Sequence, residues 1–263
     1  MNESMLIIEK ALISAATIFV YMNIWFFIAL AKKRYDFVDI AWGLGFIVIA
    51  WEHILLNPYA NLAQSLITFL ITLWGVRLAT HIAIRNHGKK EDHRYAKWRK
   101  DWGKFHTVRA YFQVFMLQGF LMLLIAMPVY TTASLKAIQN PSSPLFWGTV
   151  LWAIGFFFET IGDFQLYQFK KGGQNKGKIM MTGLWKYTRH PNYFGEVTQW
   201  WGLFVIALAS ESGWIAIISP LLITFLILKV SGIPMLEKKY EDDPIFQRYK
   251  KRTSAFFPLP PKR

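Results

Sequence analysis

Three groups of side chains share single helix faces inside apolar sequence. Arg77, His81 and Arg85 step by four, and residues four apart lie one above the other on an α-helix. Glu159 and Asp163 repeat that spacing. Asn192, Glu196, Gln199 and Trp200 fall at i, i+4, i+7 and i+8, a polar-aromatic face of a third helix. Asp39, Glu52 and His53 are further ionisable groups in greasy surroundings. In hydrocarbon each charge costs at least ~2.5–3.5 kcal/mol near the helix centre, so such groups face an internal, hydrated or paired environment. Two chemistries fit. Arg77 could pair with Glu159 or Asp163 as glue between helices, or the stripes could converge on a charged ligand pocket. Three stripes near one leaflet favour the pocket.

The most specific run is GLWKYTRHPNYFGE, residues 183–196. A glycine turn leads into a basic interfacial stretch, and Pro191 opens a helix where its missing N–H is harmless. Arg189 and His190 stand at that helix mouth, where free N–H groups and the macrodipole favour an anion. Gly195 permits close approach of a ligand or a neighbouring backbone. Glu196 lies one turn further in.

The elements that position these residues are membrane spans. Hydrophobic residues make up 54% of the 263 and charged residues only 17%, against about 25% charged in soluble domains. Segments of about 20 apolar residues cross ~30 Å of hydrocarbon. Seven are expected: Ala11–Ala31, Phe37–Leu56, Leu62–Ile84, Ala110–Tyr130, Leu145–Phe169, Tyr193–Ser210 and Trp214–Ser231. The last two are joined by Glu211-Ser212-Gly213, a hairpin turn. The first is too long, and lacks the small-residue cleavage site, to be a removable signal peptide. No internal repeat or linker interrupts the chain, so one domain over residues 1–263 is expected.

Orientation follows from the basic residues. Of 30 Lys and Arg, 27 lie at 32–34, 85–109, 170–189 and from 229 onward. These are alternate connections of a seven-span chain, which puts them and the C-terminus in the cytoplasm. The pocket then opens to that side, in a multi-pass protein of the cell inner membrane. The net charge of +14 is read as this topology signal, with anionic membrane lipids as its partner, and no nucleic-acid partner is expected. The chain has no cysteine, which excludes disulfides, thiolate nucleophiles and Cys-ligated metals. The six histidines do not cluster, so no metal site is expected.

The 183–196 block resembles the signature of the steroid 5-alpha-reductase superfamily, which includes sterol C14 reductases and, more distantly, isoprenylcysteine carboxyl methyltransferases. The whole chain resembles its bacterial membrane branch, known mainly as a domain of unknown function (the 1295 type). The resemblance places the signature and cofactor-binding half at about 145–258. It implies that Asn192 and Glu196 face the amide of a nicotinamide cofactor, and that Asp163 helps bind the adenosine half. Lys178 sits where the reductases have a phosphate-contacting arginine, and Arg77 resembles a cofactor-binding arginine of the third span. With the stripe partners His81, Arg85 and Glu159 and the mouth residues Arg189 and His190, these form the expected cofactor set. Lys and Arg near the pocket suit the extra 2′-phosphate of NADPH.

The resemblance thus implies a reductase of CH–CH groups that moves hydride from NADPH to an activated C=C bond of a lipophilic, steroid- or enone-like small-molecule substrate. The Gln-Glu pair and Tyr that polarise the carbonyl in steroid reductases are replaced by Gly45, Phe46 and Trp74. Glu52, Tyr187 and Tyr193 are the candidate substitutes. Two alternatives stay open: an S-adenosylmethionine-dependent membrane methyltransferase, and a non-catalytic lipid-binding membrane protein.

Overall fold

The computed structural model describes residues 3–133, 142–171, 173–175 and 177–262. These residues are mostly helical; the rest form turns, irregular stretches such as 253–262, and one isolated bridge between Thr188 and Ser254. The helices are α1 (Glu3–Lys32), α2 (Val38–Leu56), α3 (Leu62–Asn86), α4 (His93–Trp102), α5 (His106–Ala110), α6 (Leu117–Ile125) and α7 (Met127–Thr132). They continue with α8 (Ser142–Lys170), α9 (Pro191–Ala207), α10 (Ile218–Phe225), α11 (Ile233–Lys238) and α12 (Pro244–Arg252). One π-helical turn joins α5 to α6 at Tyr111–Met116, and another follows α10 at Leu226–Val230.

Local chemistry sets several starts. The Asn61 side chain accepts from the Gln64 N–H at 2.9 Å, and Asp92 accepts from Arg94 N–H at 2.9 Å. Asp243 accepts from Ile245 N–H at 2.8 Å, ahead of a proline in the first turn of α12. Each satisfies a donor the helix cannot bond internally.

Among the described residues, six helical runs are long and apolar enough to cross a membrane: Met5–Lys32, Tyr35–Leu56, Leu62–Asn86, His93–Thr132, Ser142–Lys170 and Gly213–Lys238. Leu12, Phe19 and Phe27 on α1, Phe69 on α3 and Phe146 on α8 stand exposed. Hydrocarbon accommodates such faces and water does not. The protein is therefore a multi-pass membrane protein. The expected Tyr193–Ser210 span is not among the six: α9 covers its first part, and its 17 residues reach about 25 Å at 1.5 Å per residue, short of the ~30 Å of hydrocarbon. The hairpin turn after it closes through Ser210 N–H on Ala207 O and Gly213 N–H on Ser210 O, both 2.9 Å.

The chain divides into two compact units, Met1–Pro141 with Ala207–Ile218 and Ser142–Ile206 with Ser219–Arg263. In the first, α2 and α3 touch backbone to backbone: a Cβ on Gly43 would lie 2.9 Å from the Gly75 carbonyl oxygen. Phe46, Ile49, Ile67, Ile71 and Trp74 are buried on those two helices. In the second, α8 and α9 run antiparallel along a seam of glycines. A Cβ on Gly148 would lie 2.7 Å from Gly202 O, one on Gly155 2.6 Å from Gly195 O, and one on Gly162 3.1 Å from the Pro191 ring. Gly148, Gly155 and Gly162 recur every seven residues, as do Gly195 and Gly202. That repeat keeps one narrow stripe facing the partner helix.

Candidate functional site

The seam brings the polar stripes of α8 and α9 together. Gln199 donates from Nε2 to Glu159 Oε2 at 2.5 Å, and Glu159 is buried. Two turns earlier on α9, Asn192 donates from Nδ2 to Asp163 Oδ1 at 3.1 Å. Each amide thus commits its donor end to a carboxylate. Its acceptor end is left over: Asn192 Oδ1 and Gln199 Oε1 are buried with no hydrogen-bond partner among the described residues. A buried acceptor without a donor is costly, so two on one helix face mark a place built to receive N–H or O–H groups. Glu196 lies one turn beyond Asn192 and is half-buried.

At the mouth of α9 the Arg189 guanidinium is engaged within the chain. Its Nε donates to Glu237 Oε1 at 2.8 Å, Nη2 lies 2.8 Å from the same oxygen, and Nη1 donates to the carbonyls of Thr253 and, at 3.2 Å, Lys250. His190 Nε2 lies 3.0 Å from Glu237 Oε1. Burial pulls the His190 pKa below the ordinary histidine value, against the opposing effect of Glu237. Its imidazole is then neutral and donates its Nε2 proton to the carboxylate. Tyr193 stacks on the His190 ring, 5.6 Å between centroids.

The signature loop is pinned from both sides. Gly183 has φ +62° and touches Gln165, whose Oε1 accepts from Leu184 N–H at 3.0 Å. Trp185 Nε1 donates to Gly162 O at 3.1 Å, and the Tyr249 hydroxyl donates to Trp185 O. Arg189 N–H donates to Ser254 O at 2.9 Å and Leu259 N–H to Tyr187 O at 3.0 Å. Glu237, Gln165, Tyr249 and the 253–259 strap were not singled out in the sequence. Their partners lie 19 (Gln165 to Leu184) to 72 residues (Tyr187 to Leu259) away, where no spacing rule applies.

The remaining expected residues are dispersed. Tyr187 is exposed, as is Lys178, whose Nζ is 3.4 Å from Asn175 Oδ1. Arg77, His81 and Arg85 belong to the first unit, half-buried along α3. So does Glu52, whose two oxygens accept from Ser14 at 2.6 Å and from Thr17. Two hydroxyls already donate to this carboxyl group, so its oxygens serve as acceptors in this arrangement.

The fold and this site define a multi-pass membrane protein with a carboxylate–amide ladder along a glycine seam. The chain matches the model of a protein family of unknown function, DUF1295, over residues 25–253, and it belongs to that family. It is 33% identical over 104 residues to 3-oxo-5-alpha-steroid 4-dehydrogenase 1 of Bos taurus, covering 38% of each chain. With the enzyme of the same name from Mus musculus it shares 38% over 65 residues, 25% of this chain and 24% of the other. An uncharacterized protein of Schizosaccharomyces pombe is 23% identical over 276 residues, 91% of this chain and 77% of its own. The chain therefore spans well under half of the steroid dehydrogenases it matches. No solved structure matches. These similarities are consistent with the steroid 5-alpha-reductase superfamily.

Proposed function

We propose that the protein is a seven-span reductase of the cell inner membrane, with its C-terminus in the cytoplasm. It binds NADPH from that side and reduces an activated C=C bond of a lipophilic, enone- or steroid-like substrate. The observation that carries the reading is the pair of unmatched acceptors, Asn192 Oδ1 and Gln199 Oε1, each held by an amide whose donor end is fixed to a carboxylate. A carboxamide N–H₂ is a donor of the required kind. Bound there, NADPH would supply a hydride. The chain's own work is positional. Asp163 and Glu159 orient the two amides, Glu196 adds an acceptor one turn in, and the Arg189–His190–Glu237 cluster fixes the mouth of α9. Arg77, His81, Arg85 and Lys178 are proposed as cofactor contacts from the sequence alone, and Glu52, Tyr187 and Tyr193 as donors to the substrate oxygen.

Thermal unfolding of the detergent-solubilised protein tests this, because a ligand that binds only the folded state stabilises it. NADPH should raise the Tm and S-adenosylmethionine should not. Asn192→Ala should lose about 1–3 kcal/mol of NADPH binding, the cost of an unpaired buried donor. It should leave binding of 2′-phospho-ADP-ribose, which lacks nicotinamide, unchanged. Stabilisation by S-adenosylmethionine instead of NADPH would overturn the assignment.

A further inference from the structure

A cavity in the first unit is used by none of these residues. It measures about 410 Å³ and is lined by Ala29, Leu30, Lys33, Tyr35, Arg99 and His106, a size within the ~300–1,000 Å³ range of ligand sites. It forms where α1 ends. Lys33 N–H bonds Leu30 O at 3.0 Å and Arg34 N–H bonds Ala29 O at 2.9 Å, while Lys33 itself takes φ 55°. This closure through a left-handed residue ties up the last carbonyls of the helix. A lysine is strained in that conformation, where glycine would not be.

The Arg99 guanidinium is held in place, while Lys33 is exposed at the cavity rim. Arg99 Nη2 lies 2.9 Å from Glu91 Oε1 and donates to Lys33 O at 3.2 Å. Its guanidinium sits over the Tyr35 ring, 4.1 Å from the centroid. The Tyr35 hydroxyl lies 2.7 Å from His106 Nδ1; with the hydroxyl donating, the ring carries its own proton on Nε2. Three nitrogen donors, two of them cationic, thus stand beside the alkyl groups of Ala29 and Leu30. The C-terminal dipole of α1 opposes an anion with roughly half a charge, less than the ammonium of Lys33 brings.

The cavity also lies at a particular depth. Helix α4 ends at Gly103, whose φ of 50° breaks it from the apolar helices that follow, and it carries Arg94, Lys97, Arg99 and Lys100, charges that hydrocarbon excludes. This polar stretch, with Arg99 and the His106 just after it, therefore belongs among the headgroups. Trp98 and Trp102 stack there at 5.7 Å, side chains of the kind enriched at membrane interfaces.

We propose that this cavity binds the anionic phosphate headgroup of a membrane phospholipid. Lys33, Arg99 and His106 donate to the phosphate, and Ala29 and Leu30 flank the apolar part of the lipid. Native mass spectrometry of the full chain in detergent, titrated with phosphatidylglycerol, reads the site. Lys33→Gly and Arg99→Gln should each weaken retention about fivefold, the scale expected per basic residue at an anionic surface. Lys100→Gln, an exposed lysine outside the lining, should change nothing. Lys33→Gly should at the same time raise the Tm by relieving its backbone, a combination that a purely structural lysine would not give. If Arg99→Gln does not fold, Lys33→Gly decides alone. Equal retention of phosphatidylcholine, unchanged binding by Lys33→Gly, or displacement of the lipid by inorganic phosphate at constant ionic strength would each overturn the proposal. The last would make it a site for free phosphate.

Discussion

His190 shows how far a single residue can be read. Its place before Pro191 marks it as a group at a helix mouth, and the structure puts it there, buried, against Glu237. The partner was not legible, because Glu237 lies 47 residues on in a segment read only as basic tail. The same holds for Gln199. Its helix face was visible from spacing, but its carboxylate on α8 was visible only as a second stripe of its own. The titration of His190 has a definite sign. Folding lowers its pKa, so the unfolded chain, at about 6.5, binds the proton more readily. Stability from this group is complete above that value and is lost as the pH falls from about 6.5 toward the lower folded pKa. His190→Gln keeps a donor for Glu237 and removes the titration. The Tm of the wild-type protein should therefore fall relative to that variant between pH 7.5 and 5.5 (roughly one unit either side of the free value). Parallel curves would show that the residue does not titrate with folding.

Among the elements, the spans were the most legible part. Every expected segment up to Phe169 falls inside a helical run of the structure, because length and apolar composition are local properties. Helix α4 was not anticipated. Its ten residues are few and charge-rich, so it leaves no span signal, although Asp92 ahead of it is a good N-cap residue. The glycine seam was half legible: Gly195 was read as a point of close approach, yet the sequence did not say that Gly155 would meet it. Gly155→Ala tests the seam. Its Cβ would lie 2.6 Å from both Gly195 O and Gln199 N, and neither backbone can yield without parting the helices. A loss of about 1–3 kcal/mol is expected, as for overpacked cores, together with a weaker Tm rise on adding NADPH. Gly88→Ala has nothing within 4 Å and only its φ of +67° to pay for, so it should cost about 1–2 kcal/mol and leave the NADPH response intact. Equal NADPH responses in the two variants would separate the seam from the site.

For the whole molecule, orientation rests on charge. With 27 of 30 Lys and Arg in alternate connections, seven spans put all of them on the side that retains positive charge. Reporter fusions at Arg263, within residues 85–109 and within 170–189 should all report the cytoplasm. A fusion near Pro141, outside the described residues, should report the exterior. A non-cytoplasmic signal from 85–109 would reverse the orientation, and opposite signals from 85–109 and 170–189 would break the span count.

The strap that closes over the signature loop also imposes an order in time. Arg189 meets Glu237 across 48 residues and Thr253 across 64. At ~5–20 residues per second the ribosome needs ~2–10 s after Arg189 to supply Glu237 and ~3–13 s to supply Thr253. Until Glu237 is made the guanidinium has neither its carboxylate nor its carbonyls, and an uncompensated buried charge is strongly destabilising. The mouth of α9 must therefore wait in water at the membrane surface and sink into place only when the strap arrives. Maturation of this unit is a late event, set by the pace of synthesis and not by the insertion of its spans.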